Sequence, residues 1–306
     1  MMNSSKQRIV SVCLAALVLL MSGCATQGGG KFDPVTSDIP KIDPLYPPTN
    51  VELSFNSGGA QLPAYLMIAN GRGPHPTVLL LHGFPGNEKN LDIAQALRRA
   101  GFNVMFFNYR GAWGAQGEFR IANLSRDAAN AVQFLRSRAS EYRIDQLQLS
   151  LLGHSMGGFA ALRTVARDSR LDCVVGLAAA NVGAIASRSD KEQADFAAYA
   201  DGLFMLNGYS GRTALRELRQ NAREFDLLND VGGMGGKSVL LITGTEDTAV
   251  PVTVQRQLAE AYAADPRINL TAIEIPGDHA FSGQRIALQR LVMQWLVRNC
   301  AWSMRG

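Results

Sequence analysis

The segment that most constrains this chain is Leu149-Ser150-Leu151-Leu152-Gly153-His154-Ser155-Met156-Gly157-Gly158, an apolar strand-like run that enters a G-x-S-x-G turn and continues into Ala-rich helical sequence. A serine hydroxyl is a weak nucleophile, so a fold that uses one must hold Oγ clear of the backbone and within reach of a base. A sharp strand-to-helix turn does this in a strained backbone, and the residues two before and two after the serine must be small because strand and helix nearly collide there. Gly153 and Gly157 meet that demand. The helix start also brings unpaired N–H groups and partial positive charge to the point where an oxyanion forms. The Met156 N–H is therefore the first candidate oxyanion donor. A pattern with three fixed positions also recurs by chance, so the case depends on what the rest of the chain supplies.

Four further segments accompany the elbow: His82-Gly83-Phe84-Pro85-Gly86, Asn108-Tyr109-Arg110-Gly111-Ala112-Trp113-Gly114, then downstream Gly244-Thr245-Glu246-Asp247-Thr248-Ala249-Val250-Pro251, and Gly277-Asp278-His279-Ala280-Phe281. In this order, over roughly residues 74–300, the chain resembles a serine α/β-hydrolase. The resemblance implies a mostly parallel central sheet flanked by helices, a small helical cap insert, and a triad in the order nucleophile, acid, histidine. Of the four histidines, only His279 follows Ser155, which makes it the expected base. The acid is expected in the loop after the strand-like run 238–243. Asp247 is preferred there to Glu246, because the shorter carboxylate next to the turn is the usual occupant. Some relatives draw the acid from an earlier strand end, but the stretch after Ala178 offers Asn181 and no carboxylate before Asp190. The second oxyanion donor is expected to be the Phe84 N–H, since Pro85 has none. Gly83 and Gly86 let that loop approach a substrate closely. His82, upstream of the nucleophile, is read as a brace for the loop, and Arg110 as a structural ion pair or carbonyl brace. The 108–114 segment resembles the corresponding loop of dipeptidyl-peptidase-like and serine-aminopeptidase-like members without fixing a substrate.

The N-terminus carries Lys6 and Arg8, an apolar run over 9–21, and then Ser22-Gly23-Cys24. The run is too short to span a bilayer comfortably, and its basic front and small residues read as a signal peptide over 1–23. It resembles a bacterial lipoprotein signal, which implies lipidation of Cys24 after cleavage, although Met21 stands where leucine is usual. Ala25 resembles the outer-membrane sorting pattern, so the expected address is a membrane anchor at the periplasmic face or outer membrane. Ordinary secretion is the alternative. Residues 24–48, rich in Gly and Pro, read as a flexible tether of at most roughly 80 Å when extended, leaving 49–306 as the hydrolase domain.

Removing Lys6 and Arg8 takes the formal charge from +4 to +2, too little for a nucleic-acid footprint. No C-x-x-C or H-E-x-x-H spacing suggests a metal, and no cofactor is expected. Cys173, in an apolar run, reads as a buried free thiol; export would also permit a pair with Cys300. Residues 51–55 and 62–68 suggest an opening hairpin. Leu124, Ala128, Ala131 and Leu135, and Leu288, Leu291 and Trp295, keep helical spacing. The long connection over about 181–236 reads as the cap, with Phe196, Tyr199, Leu203, Phe204, Met205 and Tyr209 as a group expected to supply part of a pocket wall. The expected activity is ester cleavage through an acyl-enzyme, on a small-molecule or peptide acyl substrate. A peptidase, an acyltransferase and a catalytically silent tethered binding protein are the alternatives.

Overall fold

The computed structural model describes residues 32–301, so the expected signal peptide and Cys24 lie outside the described residues. Eight strands form one sheet in the order β1-β2-β4-β3-β5-β6-β7-β8. The antiparallel hairpin β1 (Thr49–Ser57) and β2 (Ala60–Ile68) turns on Gly58 and Gly59, both at positive φ, as a two-residue hairpin of matching twist requires. β2 runs antiparallel to β4 (Asn103–Phe107). All remaining neighbours pair in parallel: β3 (His75–Leu81), β5 (Ile144–His154), β6 (Cys173–Leu177), β7 (Ser238–Gly244) and β8 (Asn269–Ile275).

The central strands are apolar throughout because helices cover both faces. Leu79, Leu81, Leu151, Val174 and Leu241 point to one face, where α2 (Leu124–Ser137) and α3 (Met156–Arg167) pack. Val78, Leu80, Leu152, Val175 and Ile242, one residue out of phase, point to the other, against α1 (Leu91–Arg99) and α7 (Arg285–Asn299). Each fully buried leucine contributes roughly 1.5–3 kcal/mol. The predicted helical positions Leu124, Ala128, Ala131 and Leu135 are all buried in that core, as are Leu288 and Trp295. The sheet so clamped holds the C-terminal ends of β3, β5, β7 and β8 along one edge, where the loops of interest emerge.

The long connection after β6 is helical. It contains α4 (Asp190–Asp201) and α5 (Gly211–Asn221), with α6 (Val252–Ala263) following β7. α4 starts at a capping box in which the Ser189 side chain and Glu192 satisfy each other's amides.

Two expectations need correction. Residues 33–48, placed in the flexible tether, lie against the body: Asp33 pairs with Arg290 at 2.7 Å, Arg99 donates to the Pro34 carbonyl at 2.6 Å, and the Asp43 amide donates to Asn70 at 2.8 Å. Val35 is buried and Arg143 stacks over Tyr46. Polar turns and free carbonyls dock the segment to arginines without the apolar periodicity that sequence reading looks for. The second concerns Cys173, expected as a free thiol: it forms a disulfide with Cys300, at the end of α7. The pairing joins residues 127 apart in sequence, a separation at which no local pattern announces it.

Candidate active site

Ser155 occupies the turn between β5 and α3 at φ 57°, ψ −122°, a region that ordinary side chains rarely adopt. The turn is pinned on both sides. The Ser155 amide donates to the Leu177 carbonyl at 2.8 Å, and its own carbonyl accepts from Ala180 at 3.0 Å and Phe159 at 3.2 Å. A Cβ on Gly153 would run into the Gly157 carbonyl, and one on Gly157 into the carbonyls of Leu81 and His82. Both glycines are thus required by backbone contact. Gly83 is also confined: a Cβ there would lie 3.0 Å from the Ser155 Cβ, so the 82–86 loop passes directly over the serine.

Asp247 sits in the loop after β7. Its side chain is fully buried, and Oδ1 accepts the amides of Ala249 (2.8 Å) and Val250 (2.9 Å), which leaves Oδ2 for the His279 Nδ1–H at 2.7 Å. Glu246, one residue earlier, is exposed. The His279 loop is laced to the Asp247 loop, with Glu246 N–H donating to Gly277 O at 2.9 Å and Thr245 N–H to Ile275 O at 2.9 Å. Donation from Nδ1 fixes the tautomer and leaves Nε2 as the basic edge of the ring. Ser155 and His279 border one cavity of about 300 Å³ without a hydrogen bond between Oγ and the ring.

Neither the Phe84 nor the Met156 amide donates a hydrogen bond among the described residues, and both residues line the cavity. Two free N–H groups at the serine, one at the N-terminus of the 12-residue α3, suit a developing negative charge. His82, read as a brace, is buried with Nδ1 on the Gly83 carbonyl at 2.8 Å, and burial pushes its pKa down to about 4. Arg110 pairs with the fully buried Asp127 at 2.5 Å and lies near Ser57, a structural brace as expected. Asn181 is also structural, donating to Asp226 at 2.7 Å.

Sequence reading missed three contributors. His154 donates from Nε2 to the His279 carbonyl at 2.7 Å; burial first, and the neighbouring His279 second, hold its pKa near 4 and keep the ring neutral. Trp113 donates from Nε1 to the Pro85 carbonyl at 2.7 Å and from its amide to Met205, tying the 82–86 loop to the insert. Arg285 holds the Ala280 carbonyl at 2.9 Å while paired with Asp92. His154 and Trp113 stand inside segments already singled out, but their partners lie 125 and 28 residues away, and Arg285, five residues from the carbonyl it holds, is itself fixed by Asp92 at a separation of 193.

The insert supplies one wall of the cavity through Phe196 and Tyr199, whose rings lie 5.6 and 6.0 Å from that of Phe84. The other predicted wall residues do different work. Leu203 and Tyr209 are buried in the packing of the insert onto the body. Phe204 is 92% exposed and, with Met205, borders a separate depression. Their spacing in sequence could not distinguish these faces, because α4 ends at Asp201 and the chain beyond it turns irregularly.

A model of the family described as "Serine aminopeptidase, S33" matches residues 72–187, which hold the 82–86 loop and the elbow but neither Asp247 nor His279. A Salmonella typhi protein, YfhR, is 28% identical over 221 residues, 71% of this chain and 69% of that protein. The chain spans about half the length of the curated relatives that it matches first, two Escherichia coli proteins 26% identical over 138 residues. Among solved structures, esterase Est1E of Butyrivibrio proteoclasticus with ferulic acid bound superimposes with TM-score 0.64 at 19% identity, over 81% of this chain and 98% of that one. An acylaminoacyl peptidase of Pyrococcus horikoshii gives 0.64 at 16%, over 83% and 42%.

Proposed function

From its α/β-hydrolase fold, we propose that this protein is a serine hydrolase that cleaves carboxyl esters through an acyl-enzyme. The observation that carries the reading is the 2.7 Å Asp247–His279 hydrogen bond beside a strained Ser155 in one cavity. His279 Nε2 takes the Ser155 proton as Oγ bonds to the substrate carbonyl carbon. Asp247 holds the ring and stabilises the imidazolium. The Phe84 and Met156 N–H groups receive the oxyanion, each worth about 2.7–4 kcal/mol of transition-state stabilisation. Collapse expels the alcohol with the proton from His279, and a water deprotonated by His279 then releases the acid and returns the serine.

Ester rather than aminopeptidase chemistry is supported by the cavity wall. A free peptide N-terminus needs carboxylates to hold its ammonium, and this wall carries none; its one charged side chain other than His279 is Arg188, and Glu88, in the adjoining cleft that Ser155 and His279 also border, accepts the Asn90 amide. The description of the matching family model, a serine aminopeptidase, keeps amides in the test. We also propose export: the lipoprotein-like segment ending at Cys24 and the Cys173–Cys300 disulfide both suit an oxidising compartment.

A panel of acyl p-nitrophenyl esters and aminoacyl naphthylamides against the purified protein tests the chemistry. Ester turnover should exceed amide turnover and fall by about 10⁶ in Ser155→Ala. Retention of esterase activity by that variant would overturn the assignment, and a preference for the aminoacyl amides would replace esterase by peptidase. Transfer of the acyl group to an alcohol in preference to water would make it an acyltransferase, and no turnover with no fluorophosphonate labelling a silent binding protein. Cys24→Ser should move the protein from the membrane fraction to the soluble one.

A further inference from the structure

Arginines that lie partly inside this molecule have partners: Arg98 donates to Asn50, Arg99 and Arg143 donate to backbone carbonyls, and others meet carboxylates. Arg110 meets Asp127, Arg136 meets Asp168, Arg163 meets Asp230 and Glu224, and Arg285 meets Asp92, all at 3.0 Å or less. Arg188 is the exception. It follows the turn Val182–Ser187, is half-buried, and borders the Ser155 cavity, yet its guanidinium makes no hydrogen bond or ion pair among the described residues. Its electrostatic neighbour is Glu192, and that carboxylate is already committed, accepting the Ser189 hydroxyl at 2.6 Å and the Ser189 amide at 3.1 Å.

The rest of the wall offers no other charge for a ligand. Val182, Ile185, Phe196, Val250 and Val254 make it apolar, and the Asn181 amide is used on Asp226 and Leu227. A guanidinium beside apolar walls keeps its charge and presents a planar fork of donors that matches a carboxylate. Half-buried and without a hydrogen-bonding partner, it is placed to hold an anion that the substrate itself brings.

We infer that the substrate is an ester bearing a carboxylate, joined to the scissile group through an apolar spacer, with Arg188 as the residue that binds that carboxylate. The inference rests on the serine-hydrolase reading and adds the substrate class to it. The cavity of about 300 Å³ stands at the small end of ligand sites, which suits a short dicarboxylic hemi-ester or an aryl ester with one carboxylate better than a long lipid chain.

The test compares matched pairs. In the acyl arm, mono-p-nitrophenyl glutarate is set against p-nitrophenyl pentanoate; in the leaving-group arm, 4-(butyryloxy)benzoate is set against phenyl butyrate. Each is assayed with the parent, Arg188→Met, Arg188→Lys and Ser155→Ala. The parent should prefer the anionic ester in one arm, which also tells which side of the ester carries the charge. The kcat/KM ratio of anionic to neutral ester in that arm should fall at least about tenfold in Arg188→Met, the size of one charged hydrogen-bonded contact, with part retained in Arg188→Lys. Equal losses on both members of each pair would mean that Arg188 only supports the insert and would overturn the inference. So would a parent with no preference in either arm, or a preference that survives Arg188→Met. Cleavage of the neutral esters by Ser155→Ala would instead overturn the hydrolase reading beneath it.

Discussion

The elbow between β5 and α3 and the insert between β6 and β7 border the same cavity but are built by different means. At the elbow nearly every constraint is backbone against backbone: the carbonyls of Gly157, Leu81 and His82 leave no room for a Cβ at Gly153 or Gly157. Within the insert Gly183 and Gly211 also sit against backbone, but what the insert presents to the cavity is side chains. α4 buries only Gln193 and Ala200, Tyr199 is half exposed, and the contact with the 82–86 loop is made by the rings of Phe196, Tyr199 and Tyr209 around Phe84. Under the proposed function, the chemistry lies where the chain cannot deform, and substrate choice where side chains can be exchanged at little cost to the fold.

That contrast is open to attack by substitution. Asp247→Asn, which spoils the tautomer of His279 while keeping its shape, should lower kcat by about 10⁴ on every ester tested, measured against an unchanged melting curve. Reducing the Cys173–Cys300 bridge should act on the body alone. It should cost about 2–4 kcal/mol by denaturant unfolding and leave the ranking of esters intact.

The buried histidines of the body make a smaller, pH-dependent contribution. Burial lowers His82 and His154 to about 4, so between pH 6.5 and 4 the unfolded chain binds their protons and the folded chain does not. Their neutral forms therefore stabilise the fold fully above pH 6.5, and this stability is lost as the pH falls toward 4. Unfolding free energy should drop by roughly a few kcal/mol across that window, and substitution of His154 by Gln should flatten the slope. Smallest of all, Phe196→Ala should raise KM by up to about tenfold, with kcat nearly kept. A loss from Phe196→Ala as large as that from Asp247→Asn would erase the division between the two regions.

The same contrast explains what the sequence disclosed. Ser155, its glycines and the 82–86 loop are legible because backbone collision admits few residues at fixed spacing. The buried strands are legible because both faces are covered. Asp247 and His279 are short-range choices within loops already marked by the strands before them, and the structure brings the two into contact. The pocket wall was only half legible: Phe196 and Tyr199 line it, Leu203 and Tyr209 pack inside, and Phe204 faces solvent. The docking of residues 33–48, the Cys173–Cys300 bridge and the free guanidinium of Arg188 all depend on partners, present or absent, that lie far away in the chain.

The central claim is that Ser155 is the group that becomes acylated. Reaction of the purified protein with a fluorophosphonate, followed by peptide mapping by mass, tests it most directly. One adduct per chain on the peptide containing Ser155, absent from Ser155→Ala and slowed strongly in Asp247→Asn, is the predicted result. An adduct on another residue, or full ester turnover by a protein that takes no label, would contradict it.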